Sequence, residues 1–430
     1  MIKTILQFCL LLLLSTQLIS QDTLRVMTYN LLNYGNITTY CTTSNNSFLD
    51  KEQPLKRVVE YVNPDIFGVV ELGSNSFVQQ RLLDSVMNAN QPGKYKMATY
   101  MNQSGSDLIS MIYYNSEKMA LHSQFSINQE VRDIVLYRLY YRSPDLATTA
   151  DTAFLNCIVA HLKAGSTSAD QQSRATMTSN AMQWIENHGG TGNYLFMGDF
   201  NVQSSSEQSY QNLTNYANSS LRFKDPINKT GTWNNNSSMA AYHTQSTHTS
   251  SNGCASTGGM DDRFDFILAS QKVMDGTDHY RYISGSYKVI GNDGNHYNQA
   301  INSGGNSSAP ASIISDLYQL SDHLPIILDL EVNQQGAGLK DFSPIGDISV
   351  VNPFQNELVI FFNNLKYNDI TISIFSVEGK LVWSRENVIS SEKQQFRIET
   401  TNFQSGIYIL RIMTKDGLTQ NYKLIKTSGL

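Results

Sequence analysis

Charge is what this 430-residue sequence has least of: Asp, Glu, Lys and Arg together make up only 16% of it. With 40% hydrophobic residues, so sparsely charged a chain is neither a disordered segment nor a polyelectrolyte. The charge is also unevenly spread. Residues 21–335 hold 20 Lys and Arg against 28 Asp and Glu, a net of −8, and residues 336–430 hold 10 against 9. An acidic main unit argues against a broad electrostatic grip on nucleic acid, though a local basic groove stays open. Cysteine is scarce too, four in all, and none of the spacings is Cys-x-x-Cys, so the cysteines fit no metal-site spacing of that kind. After residue 20 no apolar run reaches the ~18 residues that a membrane-spanning helix requires. No internal repeat is present, and 430 residues exceed one ordinary core, so two folded units are expected.

The first twenty residues indicate the compartment. Lys3 precedes an apolar run over 5–14 broken only by Gln7, and residues 15–20 are a more polar exit. That pattern predicts a secretory signal peptide at 1–20. Its removal leaves Cys41, Cys157 and Cys254. Cys157 sits in the apolar run 154–160 and reads as a buried thiol, whereas Cys41 and Cys254 lie in polar, loop-like sequence that an oxidising exterior would pair.

Short apolar strands are expected at 24–29, 66–70, 110–114, 154–160, 194–197, 264–269 and 324–330. Between them fall helical spacings: Leu55, Val58, Val59 and Val62 behind a first-turn Pro54, then Val78, Leu82 and Val86. A further helix, capped by Asp170, should run to about His188 and stop at Gly189-Gly190. Residues 228–260, rich in Asn, Ser, Thr and Gly, read as a long surface loop with Trp233 its one large exposed side chain. Residues 333–342 read as a linker, and beyond it short strands separated by turn residues predict a small all-β sandwich.

Polar residues sit at the strand ends. Asn30, Glu71 and His161 each directly follow a strand, Asp199 and Asn201 follow one through Gly198, Asp265 lies between Phe264 and Phe266, and Asp322-His323 precede the last strand. Such positions converge on one rim of a sheet. Taken singly, each has an ordinary reading as a turn or capping residue.

In order, the segments are Thr28-Tyr29-Asn30, Val70-Glu71-Leu72, Ala160-His161-Leu162-Lys163, Gly198-Asp199-Phe200-Asn201, Arg263-Phe264-Asp265-Phe266-Ile267 and Ser321-Asp322-His323-Leu324-Pro325. This ordered set over residues 23–332 resembles the endonuclease/exonuclease/phosphatase superfamily, in particular its pancreatic-type deoxyribonucleases. The resemblance implies a four-layer α/β sandwich, two packed β-sheets flanked by helices. It implies Mg²⁺, or Mn²⁺, held by Glu71 and Asn30, the hard-oxygen donors such ions take. It makes Asp199 the group that orients or deprotonates water, and Asn201 a donor to a phosphate oxygen. His323, held by Asp322, would donate to the phosphate, and His161 would be the general acid. Asp265 would hold the Asp199–Asn201 region or a His. Arg132 and Lys163 would contact phosphate. Asp261-Asp262 could carry a structural Ca²⁺, whereas His243 and His248, five apart without an acidic partner, read as loop residues.

The tail, residues 343–430, resembles the C-terminal sorting domains of type IX secretion cargo in Bacteroidetes. The matching pieces are Asn352-Pro353-Phe354, Ile374-Phe375-Ser376-Val377-Glu378-Gly379-Lys380, Ser405-Gly406-Ile407-Tyr408 and Lys423-Leu424-Ile425-Lys426. The expectation is a monomeric, secreted or cell-surface, metal-dependent nuclease acting on DNA or RNA, with the outer-membrane secretion machinery as partner of its tail. One alternative is a phosphodiesterase or phosphatase on lipid headgroups or small esters; another is a binding module on a degenerate enzyme scaffold. A generic β-sandwich that binds carbohydrate is the alternative for the tail.

Overall fold

A computed structural model of the chain describes residues 22–143, 146, 152–332, 345, 347–363, 369–377, 379–389, 393–415 and 419–427. The expected signal peptide and the linker at 333–342 lie outside them.

Two β-α-β units set the architecture. Strand Asp22–Tyr34 leads through helix Phe48–Val62 to the parallel strand Ile66–Gly73. Strand Phe154–His161 leads through helix Ser168–Trp184 to the parallel strand Tyr194–Asp199. Each unit is the heart of a mixed sheet. In the first, the order is Tyr280–Tyr282, Ile326–Val332, Asp22–Tyr34, Ile66–Gly73, Leu108–Asn115 and Tyr95–Met97, with Lys288–Val289 also pairing to Ile326–Val332. In the second, it is Met119–Asn128, Ile134–Tyr141, Phe154–His161, Tyr194–Asp199, Asp265–Ser270 and Phe223–Lys224.

The sheets face one another. Val26, Val70 and Ile112 of the first share a buried cluster with Val159, Met197 and Ile267 of the second. Contact is so close at Gly68 that an added Cβ would meet the Met197 methyl at 3.1 Å. The outer faces are covered by helices: Leu55, Val58 and Leu317 over one sheet, Met177 and Ala181 over the other. Strands covered on both faces are apolar along their whole length, which is why 66–70 and 154–160 read as unbroken hydrophobic runs. The result is the expected four-layer α/β sandwich. The described residues after 345 form a three-stranded and a four-stranded antiparallel sheet sharing a core of Ile360, Ile372, Ile374, Leu410 and Ile412.

Three local expectations are corrected. Helix Phe48–Val62 starts earlier than the sequence pattern indicates, so Pro54 lies in its interior and not its first turn. Thr167, not Asp170, caps helix Ser168–Trp184; Asp170 is the third helical residue and completes a capping box with it. The segment 228–260 is not simply a surface loop. Trp233 is fully buried, in edge contact with Tyr210 and Phe266, and its Nε1 donates to Lys229 O at 2.8 Å. His243 and His248 are buried as well.

Cys41 and Cys254, 213 residues apart, form a disulfide, and Cys157 is a buried free thiol. Alkylation of the denatured, exported protein should therefore label Cys157 alone, and all three only after reduction. Three labelled cysteines without reductant would contradict the bond. Tying so long a loop is worth roughly 2–5 kcal/mol, a model-dependent figure.

Candidate active site

The β-α-β units place Asn30, Glu71, His161 and Asp199 at the carboxyl ends of four parallel-paired strands, two per sheet. Register does the rest. His161 is the pairing partner of Asp199, and Asp199 is in turn the partner of Asp265 on the antiparallel neighbour. The glycine before Asp199 is demanded by that approach: Gly198 has φ 129°, and a Cβ there would meet Ala160 O at 2.0 Å.

The four side chains converge. Asn30 Nδ2 donates to Glu71 Oε1 at 2.9 Å and to Asp199 Oδ2 at 3.0 Å. His161 Nε2 lies 3.7 Å from Glu71 Oε1 and 3.6 Å from Asp199 Oδ2. Glu71 Oε2 is occupied by Asn33, whose backbone N–H donates at 2.9 Å and whose side-chain amide donates at 3.4 Å. Asn201 N donates to Asp199 Oδ1 at 2.9 Å, which fixes that carboxylate from its other side.

His323 is held by Asp265, and the expectation that Asp322 holds it is corrected. Its Nδ1 lies 2.7 Å from Asp265 Oδ2, with both groups buried. The carboxylate of Asp322 points elsewhere, accepting from Ser256 N at 2.8 Å and Gln245 Nε2 at 3.4 Å. Lys163 does not join the site either: its Nζ pairs with Asp170 at 2.8 Å, because that carboxylate sits at the start of the next helix. Arg132 Nη1 donates to Leu162 O at 3.2 Å, and its charge acts on His161, Glu71 and Asp199. Asp261 and Asp262 belong to no cluster of three candidate ligands among the described residues; Asp262 Oδ1 accepts instead from Asn234 at 2.7 Å.

Protonation follows from burial and neighbours. Burial, with Asp265 and Glu71 close by, pushes Asp199 up to about 7 despite the opposing charge of His323. Burial lowers His161 well below the usual imidazole value, and the Arg132 and His323 charges add to that. His323 moves the other way. Burial acts against its charge, but the Asp265 and Asp199 carboxylates outweigh it and raise it well above the ordinary value. Burial thus favours the neutral form of His161, and the two carboxylates favour the protonated form of His323.

Among the described residues, the one group of three candidate metal ligands within 4.8 Å of each other is Glu71, His161 and Asp199. Two carboxylates, Asp199 buried and Glu71 partly exposed, share one Asn amide with no Lys or Arg ion-paired to either among the described residues, and offer the hard donors and negative charge that a divalent cation takes. Gln245 and Asn33 were not singled out from sequence. Gln245 Nε2 lies 2.6 Å from His323 Nε2, on the cavity side of that ring; a protonated His323 requires the Gln245 amide to turn and present its oxygen there. Its setting in an Asn/Ser/Thr/Gly-rich run conceals it; Asn33, three residues past Asn30, carries a weak signal at most.

Asn33, Glu71, His161, Asp199, Gln245 and His323 line a cavity of about 410 Å³ together with Ser166, Gln203, Ser256 and Phe264. Residues 27–323 match the family model described as the Endonuclease/Exonuclease/phosphatase family. The chain belongs to that family. It is thus a hydrolase of phosphate esters, and residues 352–427 match the secretion system C-terminal sorting domain, which marks it for export by type IX secretion to the cell surface or outside. No curated protein matches the chain.

Similar solved structures include humanized D. rerio TDP2, 15% identical over 72% of this chain and 98% of that one, TM-score 0.44. A family member from Bacteroides thetaiotaomicron is 16% identical over 73% of this chain and 96% of that one, TM-score 0.43. A mannosyl-6-phosphatase of the same organism is 15% identical over 71% and 99%, TM-score 0.41. No helix among the described residues is long and apolar enough to cross a membrane.

Proposed function

We propose that this family member is an exported phosphodiesterase that uses Mg²⁺ or Mn²⁺ to hydrolyse nucleic acid. In this reading residues 1–20 direct export, 23–332 catalyse, 333–342 link, and 343–430 engage the secretion machinery. The observation that carries it is the placing of two imidazoles at one buried carboxylate, His161 Nε2 at 3.6 Å and His323 Nε2 at 3.8 Å from Asp199 Oδ2. A phosphodiester substrate needs both a donor to phosphate and a proton for an alkoxide leaving group.

Glu71 would hold the cation, with Asp199 and His161 at its edge. Asn30 would join it only through Oδ1, which here accepts from the Leu32 N–H while Nδ2 faces both carboxylates. The bound ion supplies charge neutralisation on the phosphate and a more acidic water. Asp199, fixed by Asn30 and the Asn201 N–H, aims its carboxylate at the attacking water. Asn201 donates its side-chain amide to a phosphate oxygen. His323, kept protonated by Asp265, is the better source of a proton for the leaving oxygen, so the acid role expected of His161 passes to it. His161, neutral, is left to donate a hydrogen bond or share in the metal site. Arg132 adds positive potential at the phosphate.

A second reading, hydrolysis of small phosphate esters, is favoured by one observation: the residues lining the cavity include neither Lys nor Arg. Trp233, read from the sequence as the large exposed side chain of segment 228–260, is buried, whereas Ile37, Tyr40, Leu49 and Phe77 are exposed, so hydrolysis of lipid headgroups is left to the substrate panel. A panel of plasmid DNA, RNA, sphingomyelin and sugar phosphates, assayed with Mg²⁺ restored after chelation, decides between them. The proposal expects nucleic acid to be cut fastest, with a shallow loss of kcat/KM as salt rises, because few cations meet the backbone. Faster turnover of a sugar phosphate than of any nucleic acid would overturn it.

A further inference from the structure

We propose that the buried amine of Lys51 is a positioning group for the metal site, acting on Asn30 and Glu71 through two peptide units. The inference rests on the metal site described above and concerns a residue outside it. Beyond Asn30 the first strand leaves its ladder, and pairing with Ile66–Gly73 resumes only at Tyr34 after a register shift. Within that gap Leu32 and Asn33 both take φ 48°, left-handed backbone that side chains other than glycine resist. The conformation aims two N–H groups at the site. That of Leu32 donates to Asn30 Oδ1 at 2.9 Å, and that of Asn33 donates to Glu71 Oε2 at 2.9 Å.

Each of those N–H groups shares a peptide plane with the carbonyl of the preceding residue. Both carbonyls meet the same amine: Lys51 Nζ donates to Leu31 O at 3.0 Å and to Leu32 O at 2.9 Å. The N–H and C=O of a peptide point in opposite directions, so a donor at the oxygen end fixes the plane and polarises the N–H at the other end. One amine thus orients the amide of Asn30 and the carboxylate of Glu71 at once. Asn46 Nδ2 reinforces the second carbonyl, donating to Leu32 O at 2.8 Å.

Stability alone gives no account of this lysine. Lys51 is 5% exposed on helix Phe48–Val62, and among the described residues it ion-pairs with no carboxylate, so burial lowers it to about 7 against the opposing charges of Asp322 and Glu71. An unpaired buried charge is costly, and a long apolar side chain would fill the same space without that cost. The arrangement is understandable as support for the ligands: outer groups that fix a metal's ligands typically govern 10–100-fold in affinity, as an order of magnitude.

The test is a Mn²⁺ titration of the metal-free full chain by calorimetry, without substrate, in wild type and Lys51→Met. Methionine keeps the apolar stem and removes the donors. The expected result is an affinity about 10–100-fold weaker in the variant. Faster amide exchange at residues 31–33 in the metal-free state and an unchanged KM at saturating Mn²⁺ should accompany it. A folded Lys51→Met that binds Mn²⁺ as wild type does, whatever its melting temperature, overturns the proposal and leaves the lysine a structural filler. Should Lys51→Met not fold, Lys51→Gln serves in its place, and wild-type Mn²⁺ affinity there is equally decisive. Wild-type protein that binds no Mn²⁺ would instead sink the metal reading of the preceding subsection.

Discussion

Asp199→Asn should lower turnover by about 10²–10⁴-fold, the span of general acid–base effects, while leaving the fold intact. The carboxylate is positioned from both sides, by Asn30 Nδ2 on Oδ2 and by the Asn201 N–H on Oδ1. An Asn fits the same space but puts an NH₂ where one of those donors already points, and it cannot take a proton from water. Stability should move the other way. With no cation bound, burial raises Asp199 to about 7, so the folded state holds its proton at pH values where the unfolded chain has released it. A group raised in the folded state contributes stability below its unfolded value of 3.8 and loses it as pH climbs through the folded one. His323, also raised, acts in the same direction.

In the metal-free state the melting-temperature difference between Asp199→Asn and wild type should shift in favour of the variant from pH 5 to pH 8. Taking the difference cancels His161, His243, His248 and Lys51, which are lowered and act in the opposite direction. Thermal melts at the two pH values and single-turnover kinetics on the same preparations check both halves. An Asn variant with near-wild-type turnover would show that the reacting water lies elsewhere.

Much of the site was legible because it sits where apolar strands end. Runs such as 66–70 and 154–160 are hydrophobic throughout, since both faces of each strand are covered, so Glu71 and His161 stand out at their ends. What the residues could not reveal is register. Nothing local says that Asp199 falls opposite both His161 and Asp265, and for the same reason Asp322, next in sequence to His323, was expected to hold it, while Asp265 was left between the Asp199–Asn201 region and a His. Composition misled in the segment 228–260. Its small polar residues satisfy each other and the backbone in the interior: Thr244 Oγ1 accepts from the N–H groups of Phe264 and Asp265, and Thr247 Oγ1 donates to Ser321 O at 2.6 Å. Polar composition signals a surface only where such groups face water. Lys163 was lost to a nearer partner, the Asp170 carboxylate seven residues on.

Chelation should have the largest effect of all, bringing hydrolysis to the uncatalysed background, and Mg²⁺ or Mn²⁺ should restore it. Without a cation the chain brings Glu71 and Asp199 together around a single Asn amide and leaves Asp199 partly protonated near neutral pH. A protonated Asp199 is a poor base, and two carboxylates repel a phosphate. The same geometry says what Glu71→Gln should do. Asn33 presents two donors to Oε2, so a Gln must set its carbonyl oxygen there and turn its NH₂ toward the Nδ2 of Asn30 and the ring of His161. Two donors then face each other where an anionic ligand stood. The metal concentration giving half-maximal rate should rise by about 10–100-fold, while the rate at saturating metal falls less. Substituting Asp199 should show the reverse split, since its carboxylate works on the water and adding metal will not replace it. Full activity in protein shown by elemental analysis to be metal-free would end the metal-dependent reading. A Glu71→Gln enzyme with an unshifted metal requirement would move the principal ligand to Asp199 and His161.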